Sequence, residues 1–120
     1  MSDAISWQVE LAVKPGELDN FRALTRDMVA FAMSEPGVLV YERFVSEDGA
    51  TVYVYERFAD SASAAAHLMA FGKLFGKRFT AMVERRWFRV YGAPSDALRA
   101  ILDPLGVVYL RLFDGFSRCP

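Results

Sequence analysis

The clearest alternation of apolar and polar positions lies between Val38 and Phe58, VLVYERFVSEDGATVYVYERF. Two β-rich runs, each containing Tyr-Glu-Arg-Phe, flank a segment that holds Asp48-Gly49, a strong hairpin signal. Centring the turn on that dipeptide pairs Glu47 with Ala50, Phe44 with Tyr53 and Tyr41 with Glu56. One face then carries Leu39, Tyr41, Arg43, Val45, Val52, Val54, Glu56 and Phe58. The other carries Val38, Val40, Glu42, Phe44, Tyr53, Tyr55 and Arg57. A slip of one residue would invert both sets. Both faces are rich in large apolar groups, so each needs a cover.

Upstream, Ile5 to Val13 alternates as a strand, with Trp7, Val9, Leu11 and Val13 on one side. Lys14-Pro15-Gly16 ends it. Glu17 to Ser34 then follows helical spacing through Leu18, Phe21, Leu24, Met28 and Phe31, with acidic residues crowding its first turn, and Glu35-Pro36-Gly37 stops it. Beyond the hairpin, Asp60 or Ser61 caps a second helix running from Ala62 to about Glu84, with Leu68, Phe71, Phe75, Phe79 and Met82 as its apolar positions. Gly72 and Gly76 each weaken that helix by about 1 kcal/mol relative to alanine. A kink, a break or a close approach by another backbone or a ligand is expected there. Arg86 to Tyr91 is a further strand, closed by Gly92.

The order β-α-β-β-α-β with a central hairpin is the ferredoxin-like α+β arrangement, a four-stranded antiparallel sheet with both helices on one face. The helices cover one side of the hairpin. A second copy of the sheet is the simplest cover for the other, so a homodimer is expected. After Gly92, Pro94-Ser95-Asp96 starts a short helix with Ala97, Leu98, Ile101 and Leu102 as its stripe, and Val107 to Phe113 is a fifth strand candidate. No low-complexity linker precedes this extension. It is expected to pack on the same domain, at the sheet edge, or on the dimer partner.

Hydrophobic residues make up 53% of the 120 positions and aromatics 14%, with ten phenylalanines. That ring area must enter a core, a partner surface or an apolar pocket. The net charge of -1 gives no nucleic-acid footprint. Arg85, Arg86 and Arg89 around Trp87 read first as solvated cations at a strand end, with an anion site as the alternative. The lone cysteine, Cys119, excludes an intrachain disulfide and is given no catalytic role. The first residues lack the charged and apolar regions of a leader, and no stretch is long enough to span a bilayer. A cytoplasmic protein without membrane or nucleic-acid partners is expected. No metal site is signalled, since there is one histidine and one cysteine.

Several of these features occur together in one known family. Lys14-Pro15-Gly16, Glu35-Pro36-Gly37, Tyr41, Glu56 and Ala66-His67-Leu68, in this order over roughly Ser6 to Tyr91, resemble the antibiotic biosynthesis monooxygenase family. The resemblance implies a dimeric ferredoxin-like α+β barrel at residues 1–92, with 93–120 as a C-terminal extension. It also implies a pocket in each subunit between sheet and helices. Members of this family include oxygenases that turn polycyclic phenols or quinols into quinones without metal or flavin; others degrade haem, isomerise small phosphorylated ketones, or have no known activity. The cofactor-free oxygenases hold substrate with a tryptophan and an asparagine, where this chain has His67 and, near the other position, Ser63. The haem-degrading members use a tryptophan and, further along the helix, a haem-ligating histidine, where this chain has Lys73, Lys77 and Arg78.

His67, Phe71 and Phe75 recur every four residues and so share one helix face. Facing the sheet, His67 would act as general base on a phenol or orient a substrate oxygen; a histidine bonded within the core is the alternative. Glu56 is a second candidate base if left unpaired, and a structural ion-pair member if Arg43 or Arg57 reaches it. Tyr41, Tyr55, Phe71, Phe75 and Trp87 are the candidate substrate-binding residues. The expected activity is oxidation of a small aromatic phenol or quinol by dioxygen without a cofactor. The alternatives are a non-catalytic protein that holds a small apolar ligand, and an isomerase or lyase acting on a small ketone with Arg85, Arg86 or Arg89 as its anion site.

Overall fold

The computed structural model describes residues 2–118; Cys119, to which the sequence assigns no role, lies outside the described residues with Met1 and Pro120. Along the chain come β1 (Ile5–Val13), α1 (Leu18–Met33), β2 (Val38–Val45), β3 (Thr51–Phe58), α2 (Ser61–Met82), β4 (Val83–Tyr91), α3 (Asp96–Leu102) and β5 (Val108–Leu110), with a single 3-10 turn at Asp103–Leu105. The sheet order is β2-β3-β1-β4-β5. β1 pairs antiparallel with β3 and β4, and β5 joins β4 in parallel, so the sheet is mixed. This is the ferredoxin-like α+β fold with one added edge strand.

The hairpin register is the one centred on Asp48-Gly49: Phe44 faces Tyr53 and Tyr41 faces Glu56. The ladder ends at Val45–Val52 and a Ser46 N–H to Thr51 carbonyl bond closes the loop, so the expected Glu47–Ala50 pair of a two-residue turn does not form. Asp48 accepts from the Ser46 hydroxyl and the Ala50 N–H. Gly49 has a φ of 71°, which suits glycine there. At the other end the expectation for Val38 is corrected. A register shift between Val38 and Val40 puts Val38 opposite Phe58, and Val38 packs against the core instead of facing outward with Val40.

The core lies between the sheet and the helices. Ile5, Trp7, Val9 and Leu11 of β1, Val52, Val54 and Phe58 of β3, and Phe88 and Val90 of β4 bury against Phe21, Leu24 and Met28 of α1 and Ala64 and Phe75 of α2. Trp7 and Phe58 meet in a tilted ring contact, 4.6 Å between centroids. Burial of each such side chain contributes about 1.5–3 kcal/mol.

α1 starts later than its acidic residues suggested. Glu17 is the N-cap, which leaves Asp19 as the acidic residue of the first turn. α2 has a side-chain cap, the Asp60 carboxylate accepting from the Ser63 N–H. The expected break at Gly72 and Gly76 is absent: α2 runs unbroken to Met82, and a Cβ at either glycine would meet nothing within 4 Å. Among the described residues, no backbone outside the helix's own turns approaches there. β4 begins directly at Val83, three residues before the expected start.

Within the extension, α3 and β5 pack against the rest of the molecule. Ser95 caps α3 by accepting from the Leu98 N–H, and Leu98 and Leu102 are fully buried. α3 contacts α2, and the chain then turns to place β5 beside β4. The fifth strand is three residues long, shorter than the seven the pattern suggested. Leu112, Phe113 and Phe116 beyond it are exposed.

Candidate functional site

His67 points inward. It sits two turns into α2, below the cap and one turn beyond Ser63, and is 2% exposed. The turn Glu35-Pro36-Gly37 is pressed against that same first stretch of helix. A Cβ on Gly37 would fall 2.1 Å from the Ser63 Oγ, so only glycine permits the approach. The Gly37 carbonyl also accepts from the Ala59 N–H at 2.9 Å. This docking brings Glu35 to the imidazole: Glu35 Oε1 lies 2.7 Å from His67 Nδ1. A carboxylate only accepts, so Nδ1 is the donor in this contact, and Nε2 is on the other side of the ring. That nitrogen lies 3.7 Å from Glu56 Oε1, beyond hydrogen-bond length.

Glu56 is held from both sides. The Trp7 indole N–H donates to Oε1 at 2.7 Å, and Arg43 pairs with Oε2. Both partners follow from strand register: Trp7 is opposite Glu56 across β1–β3, and Arg43 comes from the neighbouring strand β2, one alternation from Tyr41, which faces Glu56. The Arg43 guanidinium lies 3.6 Å above the Tyr41 ring. Among the described residues, Arg43 Nε and Nη1 and the Tyr41 hydroxyl are buried without a hydrogen-bond partner. Burial pushes the Tyr41 hydroxyl well above the ordinary tyrosine range; the Arg43 charge opposes this, and Glu56 and Glu35 add to it. Tyr41 therefore stays protonated and offers a donor.

Rings enclose the imidazole. Phe58 stands 5.2 Å, Tyr41 5.5 Å and Phe71 6.3 Å from it between centroids. Phe71 passes the contact on to Phe75 and Phe79, which meet Phe31 and Phe21 of α1. The arrangement is a buried acid–base group in an apolar shell, with unpartnered donors beside it.

The structure thus gathers His67, Glu56, Tyr41, Phe71 and Phe75 on the helix side of the sheet. It separates Tyr55 and Trp87 from them. Tyr55 neighbours Glu56 in the strand, and alternation turns it to the opposite face, where it lines a shallow cleft of about 520 Å³ with Trp87, Phe44 and Tyr53. The three arginines of β4 also stay away from His67: Arg85 donates to the Leu105 carbonyl, Arg86 lies 4.0 Å from Glu10, and Arg89 covers the Trp87 ring. The arginine at the site is Arg43. A second cleft, of about 260 Å³, opens between α1 and the end of the hairpin and has Arg43 in its wall. Glu35 and Trp7 were not legible as site residues from their local patterns, one reading as a helix stop and the other as a core position. Among the described residues, no group of three or more His, Cys, Asp or Glu is placed to hold a metal ion. No described helix is long and apolar enough to cross a membrane.

A ferredoxin-like sheet whose helix side carries a buried histidine among carboxylates and rings defines a small α+β protein with an internal acid–base site. The chain belongs to the antibiotic biosynthesis monooxygenase family, whose model matches residues 4–84. No curated protein matches it in sequence. Among solved structures it is similar to MupZ from Pseudomonas fluorescens, with a TM-score of 0.88 and 22% identity over 98% of this chain and 91% of that one. SnoaB from Streptomyces nogalater, described as a cofactor-independent oxygenase, gives 0.67 and 16% over 78% of this chain and 96% of that one. A conserved protein from Methanosarcina mazei Go1 gives 0.67 and 18% over 73% and 90%. At these identities the likeness is one of fold. The MupZ match extends through α3 and β5, because it covers nearly the entire chain.

Proposed function

We propose that this protein is a monooxygenase that oxidises a small aromatic phenol or quinol without a bound cofactor. The observation that carries the reading is the Glu35–His67 pair, whose Nε2 is left without a hydrogen bond inside a shell of aromatic rings. Family membership and the description of SnoaB as a cofactor-independent oxygenase support it.

In this mechanism His67 Nε2 takes the phenolic proton, and Glu35 holds the ring and stabilises the imidazolium that forms. The phenolate gives up electrons to dioxygen, and a C–O bond forms at a ring carbon. Loss of that carbon's proton and cleavage of the O–O bond leave a quinone and one water. The substrate supplies the electrons for both oxygen atoms, so no outside reductant enters. Tyr41 and Arg43 supply donors for the substrate oxygen, while Phe58, Phe71 and Phe75 exclude water. Glu56, held by Trp7 and Arg43, is a positioning group. Oxygen uptake with a panel of hydroquinones and naphthols tests this. Uptake by the native protein, lost in His67→Ala, is expected; uptake no greater than buffer, or unchanged in His67→Ala, overturns it.

The chain works as a homodimer in this reading, supported by the rings that Phe44, Tyr53, Tyr55 and Trp87 present on the sheet face away from the helices. The extension at 93–120 belongs to the same folded unit, and the cytoplasm, where a lone cysteine stays reduced, is its setting. A second reading, acid–base isomerisation or cleavage of a small ketone, is favoured by one feature: Arg43 and Tyr41 beside the imidazole could polarise a carbonyl. Turnover under strict anaerobiosis separates the two.

A further inference from the structure

The cleft between α1 and the hairpin combines two kinds of lining. Leu18, Phe21, Val45 and Val52 give it an apolar wall, and Arg22, Arg26 and Arg43 are the charged residues on it, all cationic. Arg22 and Arg26 lie one turn apart on α1 and so flank the same side. Among the described residues no carboxylate comes within ion-pair distance of either, although both are exposed. Arg43 differs from them: its side chain is 10% exposed, and its single carboxylate partner, Glu56, engages Nη2. Nε and Nη1 remain buried without partners. A buried guanidinium with two unused donors is costly unless something accepts from it. Two arginines without a carboxylate, and a third that Glu56 meets at one nitrogen only, favour in an apolar cleft an anion with an apolar body.

We propose that this cleft binds an aromatic or aliphatic carboxylate, its apolar part against Phe21 and Val52 and its carboxylate among Arg22, Arg26 and Arg43. Arg43 connects the cleft to Glu56 through their ion pair, so a ligand that also reached the His67 site would be an acid as well as a phenol or ketone. The link to His67 rests on the functional reading above; binding in the cleft does not.

Calorimetric titration of the full chain with 2-naphthoate and with its neutral analogue 2-naphthylmethanol tests the proposal without any turnover. One naphthoate per chain is expected, bound at least about tenfold tighter than the alcohol, the ratio typical of a charge-assisted hydrogen bond to a buried group. The exposed pair Arg22→Gln/Arg26→Gln, which leaves the core untouched, is expected to weaken naphthoate about fivefold and leave the alcohol unchanged. Arg43→Met should weaken naphthoate further. Amide shifts on naphthoate binding should centre on Thr25 and Val45. Equal affinities for acid and alcohol, no naphthoate binding at millimolar concentration, affinity unchanged in the Arg22/Arg26 variant, or shifts centred on Tyr55 and Trp87 would each overturn it. Selective binding without oxygen uptake overturns the oxygenase reading alone, and oxygen uptake without selective binding overturns this inference alone.

Discussion

Glu35 and His67 are 32 residues apart in the chain and meet at 2.7 Å because the turn after α1 docks on the start of α2. Glu35 stands in the turn that ends one helix, and His67 faces inward from the next. The pair therefore depends on the Gly37–Ser63 approach as much as on either side chain. Nitrogen NMR of the imidazole is expected to show a protonated Nδ1 in the native protein. Glu35→Gln should abolish that preference and lower turnover about 100-fold, within the range for a positioned general base. A native spectrum with the proton on Nε2, or turnover untouched by Glu35→Gln, would remove the base from the mechanism.

Arg43 and Glu56 form a buried ion pair, so each should be costly to remove alone. Glu56→Gln leaves a guanidinium without its anion, and Arg43→Met leaves a carboxylate held by Trp7 alone. Each is expected to cost about 3–5 kcal/mol in urea unfolding. The double variant should cost clearly less than the sum, with a coupling of at least about 1 kcal/mol. Additive losses would show that the pair contributes little as a pair.

Most of the fold was legible because its signals are local and periodic. The alternation of β1, the three-and-four spacing of α1 and the Asp48-Gly49 turn each name an element, and the hairpin register follows from the turn alone. What was lost depended on contacts between elements. A bulge near Leu39 reversed Val38, and nothing in a period of two announces a bulge. Tyr55 and Trp87 looked like pocket walls because they are aromatic, yet alternation already placed Tyr55 opposite Glu56. Glu35 was hidden in a helix stop, although a glycine two residues on was a sign that another backbone comes close. Trp7 was counted as core, and its indole N–H on Glu56 becomes visible once the β1–β3 register is known.

Tyr41 carries a pH signature. Burial raises its folded pKa above the ordinary tyrosine value of about 10, so the native state keeps a proton that the unfolded chain releases. Stability from this group is complete below about pH 10 and is lost as pH rises toward the folded value. Tyr53 and Tyr109 are shifted the same way, the latter up to about 12 by burial and its bond to Asp103. The informative quantity is thus the difference between native protein and Tyr41→Phe. The variant should lose stability less steeply above pH 10. At pH 7 it should be as stable as the native protein or more so by up to about 1 kcal/mol, because it deletes a buried hydroxyl without a partner. A loss of more than about 1 kcal/mol at pH 7 would show that the hydroxyl is bonded in solution.

The outer sheet face gives a test of assembly. Phe44 is 56% and Tyr53 42% exposed, and Trp87 lies beside them across the cleft. Light scattering after size exclusion is expected to give twice the 13.5 kDa chain mass at micromolar concentration. Phe44→Asp should shift that mass to a monomer while leaving the helix signal in circular dichroism intact. A monomeric native protein would leave this face without the proposed cover.

Gly72 and Gly76 supply the last test. Both lie inside an unbroken helix, and among the described residues a Cβ on either would meet nothing within 4 Å beyond the helix's own backbone. The single chain offers no reason for glycine at these positions, since glycine in a helix interior costs about 1 kcal/mol relative to alanine. Gly72→Ala and Gly76→Ala are therefore each expected to raise stability by about 0.5–1 kcal/mol in urea unfolding, with an unchanged light-scattering mass. The opposite result has a specific meaning. If either alanine weakens assembly, or destabilises the native protein in proportion to its concentration, a second chain approaches α2 at that turn. The helix surface around Gly72, and not the outer sheet face alone, would then belong to the interface.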